Sequence, residues 1–584
     1  LSKGQLQSLW AEILVEELVR NGITQFCISP GSRNTPLVLA ASADRSVNSK
    51  VHFDERGACY FAVGYAKATG QAAALICTSG TAVANYLPAV VEAHYSETPL
   101  LLLTADRPAH LRGTGTNQTI DQVGIFGKFV KWATDLPVPS PGTPVESALA
   151  AVDQAISHAL GNPPGPVHIN CQFDEPLAPE QSAKPYAILS EAVERWRGVS
   201  APFTTHRLPE TLSSESALPQ VQELLSDSKK PLIVAGQLGV DVDVRSIFRF
   251  AEDIRAPIMA CVSSGLRFCG ARSQNLVTRY DAFLRDSRTA ELLTPDLIVH
   301  LGGAIVSKPL LQYLSCAGCD YVQINSTPRR FDPLHMVSIR IDMEPATFCR
   351  SLATTSGSED YLNLAMRADA AAERAIATSL SDDLDNELAI ALNLISAIPG
   401  GFGLFLGNSM PIRDADGCGV VCDGPLRLCV NRGASGIDGS VATACGFAIG
   451  LGVPTVAIVG DLAMLHDLNS LSLVANSEIP VIVVIVNNHG GGIFEFLPGI
   501  KQHDCFEKYF AVRHDYEFEK VAAMFGVHYV ESRTQSSFRS SLSEAMSAGT
   551  STILELKTNR HSNADHHRFI WEQVAQAVRN ALSL

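Results

Sequence analysis

No uninterrupted apolar run in this 584-residue chain approaches the roughly 18 residues that a membrane-spanning helix needs. The strongest, PVIVVIV at 480–486, has the length of a buried strand. Basic residues are also in short supply: 45 Lys and Arg stand against 60 Asp and Glu, a net charge of -15. That balance argues against nucleic acid or an anionic membrane as a partner. Neither a GxGxxG fingerprint nor a GxxxxGK[ST] loop occurs, so a dinucleotide-dependent oxidoreductase lacks its phosphate grip. The 14 cysteines are scattered, mostly within apolar segments, which suits a reducing compartment. The single CxxC, Cys316 to Cys319, has no second pair to make it a metal or redox site.

What is present is ample core. Apolar residues make up 46% of the chain and charged residues 18%, which excludes wholesale disorder, and the length suits about three or four domains. LSKGQLQSLWAEILVEELVRNG reads as an amphipathic helix rather than a signal peptide. Opening on Leu1, the chain is expected to be either processed or cut from a longer one.

The first 185 residues alternate β-rich runs (QFCISPG, KVHFD, AAALICTSG, PLLLLTAD, GPVHINC) with helical patterns, the βαβ signature of a doubly wound parallel sheet. Residues 196–220 are polar and read as a linker, followed by a second α/β block with KPLIVAG, APIMACV, DLIVHLGG and DYVQINS. A polar helical stretch near 355–385 separates it from a third block running to the end. The expected fold is α/β with three such domains, at 1–190, 210–365 and 385–584. Gly57, Gly64, Thr78 and Pro99 recur as Gly439, Gly446, Gly460 and Pro480, at offsets of 382, 382, 382 and 381. These matched landmarks mark the first and third blocks as homologous.

The richest stretch is VAIVGDLAMLHDLNSLSLVANSEIPVIVVIVNNHGGGIF. One strand ends in Gly460–Asp461, a helix is expected from near Leu462 to about Asn476, and the next strand ends in Asn487–Asn488. Adjacent parallel strands bring Asp461 and Asn488 together at the carboxyl edge, where ligands bind. A carboxylate and an amide oxygen beside a helix N-terminus suit Mg²⁺ holding a diphosphate. The plain alternative is a helix-capping Asp followed by an Asn-Gly turn.

GD followed 26 residues later by NN resembles the thiamine diphosphate-binding motif, although many members of that superfamily carry GDG where this chain has GDL. The resemblance implies metal ligation by Asp461, Asn488 and the Gly490 carbonyl, with Mg²⁺ or Mn²⁺ as the ion and Leu462 and Ala463 at the diphosphate. It also gives HFDER at 52–56 a role: Glu55 matches the glutamate that shares a proton with the cofactor's aminopyrimidine ring, while Asp54 and Arg56 are left to capping or pairing. At a strand end against an apolar ring, such a glutamate would be desolvated.

Further phrases are SPGSRNTPL at 29–37, TSGTAVANYLPAVVEA at 78–93, TADRP at 104–108, TNQ at 116–118, GNSMPIRD at 407–414 and NRGASGIDG at 431–439. Together they resemble the 2-succinyl-5-enolpyruvyl-6-hydroxy-3-cyclohexene-1-carboxylate synthase family of menaquinone and phylloquinone biosynthesis, most densely in the outer blocks. That resemblance implies 2-oxoglutarate and isochorismate as substrates. Arg33, Arg107, Arg413 and Arg432 sit in Gly/Pro/Ser-rich loops where guanidinium groups can clamp carboxylates. By resemblance, Ser32, Arg33, Arg107, Asn117 and Gln118 would handle isochorismate, with Arg33 and Gln118 joining Glu55 in the catalytic set. Ser409, Arg413 and Arg432 would hold the succinyl end, with Ser409 also at the cofactor. Ile437 would prop the cofactor, and Ile493 and Phe494 would line the pocket. Lys308 would be the family's basic residue in the middle block, followed here by Pro309 where many relatives have a second basic residue. His489 beside the metal turn has a structural or a site-facing role, and HSNADHHRF, with His561, His566 and His567, reads as a polar, site-covering tail. The resemblance further implies a homodimer or dimer of dimers with sites at the subunit interface. It implies a soluble protein of the bacterial cytoplasm or a plastid. Another thiamine carboligase or decarboxylase, or a catalytically silent relative, is the alternative.

Overall fold

The computed structural model describes residues 2–178, 191–207, 217–352, 356–380 and 386–584. Its strands form three six-stranded sheets, all parallel. The first contains β1 (Gln25–Ile28), β2 (Asn48–Val51), β3 (Ala73–Cys77), β4 (Leu100–Asp106), β5 (Ala133–Leu136) and β6 (Pro166–Gln172). Its order is β2-β1-β3-β4-β6-β5. The second contains β7 (Pro231–Ala235), β8 (Ile258–Ala260), β9 (Leu276–Val277), β10 (Leu297–Leu301), β11 (Asp320–Asn325) and β12 (Ile339–Asp342), ordered β12-β11-β10-β7-β8-β9. The third contains β13 (Gly403–Leu406), β14 (Arg427–Val430), β15 (Thr455–Gly460), β16 (Val481–Asn487), β17 (His528–Ser532) and β18 (Thr552–Lys557), ordered β14-β13-β15-β16-β18-β17. The outer sheets thus share one topology and the middle sheet has another, as the matched glycine landmarks require. β4 and β16 are buried along their whole length, the expected state of a parallel strand covered on both faces.

Two compact units result. The first takes Leu1–Pro209, Asn431–Gly452 and Asp467–Glu478; the second takes Glu210–Val430, Val453–His466 and Ile479–Leu584. The first unit therefore includes the helix Ser440–Leu451 from the third block. That helix lies against the helix Glu55–Thr69, and the two touch backbone to backbone. A Cβ on Gly64 would sit 2.0 Å from the Thr443 carbonyl oxygen, and one on Gly446 would sit 1.9 Å from that of Phe61. The pairs 64/446 and 61/443 are related by the same offset of 382, so the duplication persists as a local pseudo-two-fold. Gly64→Ala is expected to destabilise the protein by about 1–3 kcal/mol through overpacking, read as a lower urea midpoint at unchanged m-value. In an unconstrained helix the same change stabilises by up to about 1 kcal/mol, so a raised midpoint would refute the close crossing.

Several expectations need correction. The helix expected from Leu462 to Asn476 is broken into Asp461–His466, a 3-10 turn at Leu468–Ser470 and Leu471–Ala475. The cause is Asp467, whose Oδ2 accepts the Val441 and Ala442 amides at 2.8 and 3.0 Å and caps the helix Ser440–Leu451. Burial pushes that carboxyl up to about 6. The linker expected from residue 196 begins packed: Trp196 Nε1 donates to Glu17 at 2.6 Å, with Arg20 stacked on its ring. Residues 208–216 of that linker lie outside the described set. The polar stretch at 355–385 contains the helix Glu359–Ser379, which buries Ala365, Ala368, Ala372 and Ile376 in the second unit's core; residues 353–355 and 381–385 lie outside the description. HSNADHHRF is not an irregular tail but lies in the first turns of the 23-residue helix Arg560–Leu582. No helix among the described residues is long and apolar enough to cross a membrane.

Candidate active site

In the first unit, β2 is a largely exposed edge strand that stops at Val51. Glu55 is accordingly not at a strand end but is the first residue of the helix Glu55–Thr69. It is half-buried and its Oε2 accepts from Asn85 Nδ2 at 3.0 Å. Asp54 is the N-cap: its Oδ1 accepts the Arg56 and Gly57 amides at 3.0 and 3.4 Å, its Oδ2 accepts Asn469 Nδ2 at 2.9 Å, and Arg56 lies 3.9 Å away. The pentapeptide thus divides into a structural Asp54 and Arg56 and a Glu55 held by a side-chain amide. Buried His52, its ring 3.1 Å from Ser472 Oγ, is lowered to about 4 by burial and is neutral near pH 7.

The loops at the carboxyl ends of β1, β3 and β4 bring Arg33 and Arg107 together, both buried. Arg33 donates to the Phe173 carbonyl at 3.0 Å and to the largely exposed Glu175 at 3.3 Å. Arg107 donates to the Gln118 carbonyl at 2.6 Å and to Ser79 Oγ. Gln118, at φ +55°, returns its side-chain amide to the Ser79 carbonyl at 3.0 Å. Burial, and then the like charge of Arg33, pulls the Arg107 guanidinium below its ordinary pKa. The charges of Asp106 and Glu175 offset part of that shift. Ser32 and Asn117 are exposed beside them, and half-buried Arg432 and Ile437 lie in the loop after β14. A residue that no local pattern announces, fully buried Gln122, ties this region together. It accepts the Gly80 amide at 3.2 Å and donates to the Ala105 carbonyl and Asn170 at 3.0 and 2.7 Å.

In the second unit, the register sets Gly460 opposite Val486, so Asp461 and Asn488 leave their strands side by side. Buried Asp461 accepts the Leu462 amide at 2.6 Å and the Gly490 amide at 2.8 Å, and His514 Nε2 lies 3.2 Å from Oδ2. Leu462 and buried Ala463 form the first turn behind it. Asn487 is structural, bonded to Glu555 at 2.6 Å. Asn488 donates through Nδ2 to Glu387 at 3.0 Å, which leaves its buried Oδ1 without a hydrogen-bond partner. An acceptor oxygen stranded beside a carboxylate fits a hard cation. Among the described residues no group of three or more His, Cys, Asp or Glu is placed to hold a metal ion. Below it, burial and then the charge of Asp414 raise Glu387 to about 7. Asp414, itself raised by burial, is paired with buried His567 at 2.9 Å.

His489, at φ +59°, turns its ring nitrogen toward the His514 carbonyl at 3.2 Å. Ser409, at φ +69°, precedes the helix Met410–Gly417 and accepts from exposed Arg413. Ile493 and Phe494 are half-buried in the turn Gly492–Phe496. Exposed Lys308 opens the helix Lys308–Ser315, so Pro309 occupies a first-turn position that proline tolerates.

Three family models match in succession. They are the N-terminal binding domain of thiamine pyrophosphate enzymes over residues 10–125, the middle domain over 188–406 and the C-terminal binding domain over 419–556. Proteins known as 2-succinyl-5-enolpyruvyl-6-hydroxy-3-cyclohexene-1-carboxylate synthase are similar along almost the whole chain. That of Chlorobium phaeobacteroides (strain BS1) is 39% identical over 590 residues, 99% of each chain. That of Chlorobium phaeovibrioides is 40% identical over 573 residues, 97% of each. The chain belongs to this synthase family. Membership in the synthase family, with thiamine pyrophosphate-binding domains at both ends, makes it a thiamine diphosphate-dependent enzyme. The buried Asp461–Asn488 pair and the buried arginine pair then belong to a member of the synthase family rather than to an unassigned α/β scaffold.

Proposed function

We propose that the protein converts 2-oxoglutarate and isochorismate to 2-succinyl-5-enolpyruvyl-6-hydroxy-3-cyclohexene-1-carboxylate and CO₂, a step toward menaquinone or phylloquinone. The observation that carries this choice among thiamine carboligases is the pair of buried arginines, Arg33 and Arg107, in the loops at the carboxyl edge of the first sheet. Substrates with several carboxylates match two buried guanidinium groups, whereas pyruvate needs fewer cations.

Asp461, Asn488 and the Gly490 carbonyl would hold Mg²⁺, or Mn²⁺ in its place, with Leu462 and Ala463 lying beside the diphosphate. Bound thiamine diphosphate supplies the electron sink for decarboxylation. Glu55 would exchange a proton with the aminopyrimidine ring, and Ile437 would support that ring system. Arg33, Arg107, Gln118, Ser32 and Asn117 orient isochorismate through its carboxylates, with Lys308 adding charge. Ser409, Arg413 and Arg432 take the distal carboxylate of 2-oxoglutarate, and Ile493 and Phe494 keep water from the reacting carbon. The active form in this reading is a homodimer or dimer of dimers with sites completed between subunits.

With thiamine diphosphate, Mg²⁺ and 2-oxoglutarate, the protein should consume isochorismate, followed as loss of its absorbance. Turnover of pyruvate without any on isochorismate would overturn the assignment.

A further inference from the structure

The loop Asn431–Asp438 carries Arg432 and Ile437, and side chains from the first sheet's helices hold it at both ends. Glu92, on the helix Leu87–Tyr95, is 1% exposed. Its Oε1 accepts the Gly433 amide at 3.0 Å and its Oε2 accepts the Ala434 amide at 2.7 Å. Lys67 Nζ lies 3.0 Å from Glu92 Oε1 and donates to Asn431 Oδ1 at 2.8 Å. Asn431 in turn donates to Thr443 Oγ1 at 2.9 Å. At the far end, Tyr60 OH donates to Asp438 Oδ2 at 2.7 Å. The backbone is pressed close here: a Cβ on Gly433 would sit 2.5 Å from the Glu92 carbonyl oxygen and 2.7 Å from the Ser96 nitrogen.

A buried carboxylate is costly unless its partners are arranged for it. Here each oxygen takes one of two successive amides, so the anion fixes the Arg432–Gly433 and Gly433–Ala434 peptides that follow Arg432. Lys67 and Tyr60 stand on the helix whose first residue is Glu55. One helix therefore registers the proton-carrying glutamate and both ends of the arginine loop to one another.

We propose that Glu92, paired with Lys67, is a positioning residue that sets the reach of Arg432 toward the distal carboxylate of 2-oxoglutarate. This rests on the reading of Arg432 given under Proposed function. The test is steady-state kinetics of the full chain with thiamine diphosphate and Mg²⁺, varying each substrate in turn, for Arg432→Ala, Glu92→Gln, Lys67→Met and Lys67→Arg. Glu92→Gln keeps the shape but turns an NH₂ against one of the loop amides. KM for 2-oxoglutarate should then rise by about tenfold or more, the scale of a small misplacement of a binding group. KM for isochorismate and the affinity for thiamine diphosphate should hold. Lys67→Met should shift the same constant, and Lys67→Arg, which keeps the pair, should restore it. If Glu92→Gln does not fold, the two Lys67 variants carry the test. A rise with Arg432→Ala but none with Glu92→Gln or Lys67→Met overturns the positioning role alone, as does an equal rise for both substrates. No rise with Arg432→Ala overturns the reading of the loop and the proposal with it.

Discussion

Glu55→Gln is expected to lower turnover by about 10²–10⁴-fold, the range for loss of a positioned acid–base group, while thiamine diphosphate still binds. The substitution is nearly isosteric. The glutamine carbonyl can accept from Asn85 Nδ2, which is 3.0 Å from Glu55 Oε2, so the start of the helix Glu55–Thr69 keeps its contacts. What glutamine cannot do is gain and release a proton. The change corresponds to about 2.7–5.5 kcal/mol of barrier, far more than one hydrogen bond between neutral groups contributes. Turnover at saturating cofactor and calorimetric affinity for thiamine diphosphate separate the two effects; full activity, or a loss confined to cofactor affinity, would refute the proton-carrying role. Asp54→Ala is the contrasting case. It removes an N-cap that holds two amides, so it should cost about 1 kcal/mol of stability and leave turnover close to that of the parent.

How much of this was legible in the sequence follows from what each feature depends on. The duplicated topology was legible because it rests on local signals repeated at a fixed offset, glycine turns and apolar runs such as PVIVVIV. The Asp461–Asn488 pair was legible because parallel strand ends are neighbours by rule. The interruption after His466 was not, since Asp467 breaks its helix in order to cap residues 441 and 442, a demand made by tertiary structure. The surroundings of Glu55 were misread for a related reason. Residues 52–54 read as the end of a strand, but the edge strand stops at Val51 and Asp54 caps the helix. Glu92, Gln122, Glu387 and His514 matter through partners between 17 and 342 residues away, and nothing in their own neighbourhoods marks them.

Asp461→Ala should abolish the metal dependence of cofactor binding. In the parent protein, thiamine diphosphate affinity should fall sharply when EDTA removes the divalent ion. In the variant it should be weak at the outset, by about 10²-fold or more, the scale seen when a metal-site ligand or its support is removed, and EDTA should change it no further. The carboxylate also accepts the Leu462 and Gly490 amides, and stranding two buried donors costs about 1–3 kcal/mol each, so the variant should also unfold earlier. That stability loss must be separated from the binding loss. Asp461→Asn does so, because it keeps the volume and one acceptor while removing the charge that a divalent ion requires. Its thermal midpoint should stay nearer the parent's while its cofactor affinity follows that of the alanine variant. The structure also supplies an internal comparison in Asn488, whose Oδ1 has no hydrogen-bond partner within the protein. Replacing it should weaken binding through the ion without stranding the amides that Asp461 serves. If Asp461→Asn retains EDTA-sensitive binding at the parent's affinity, the cation is held elsewhere, and the stranded Asn488 oxygen needs another explanation.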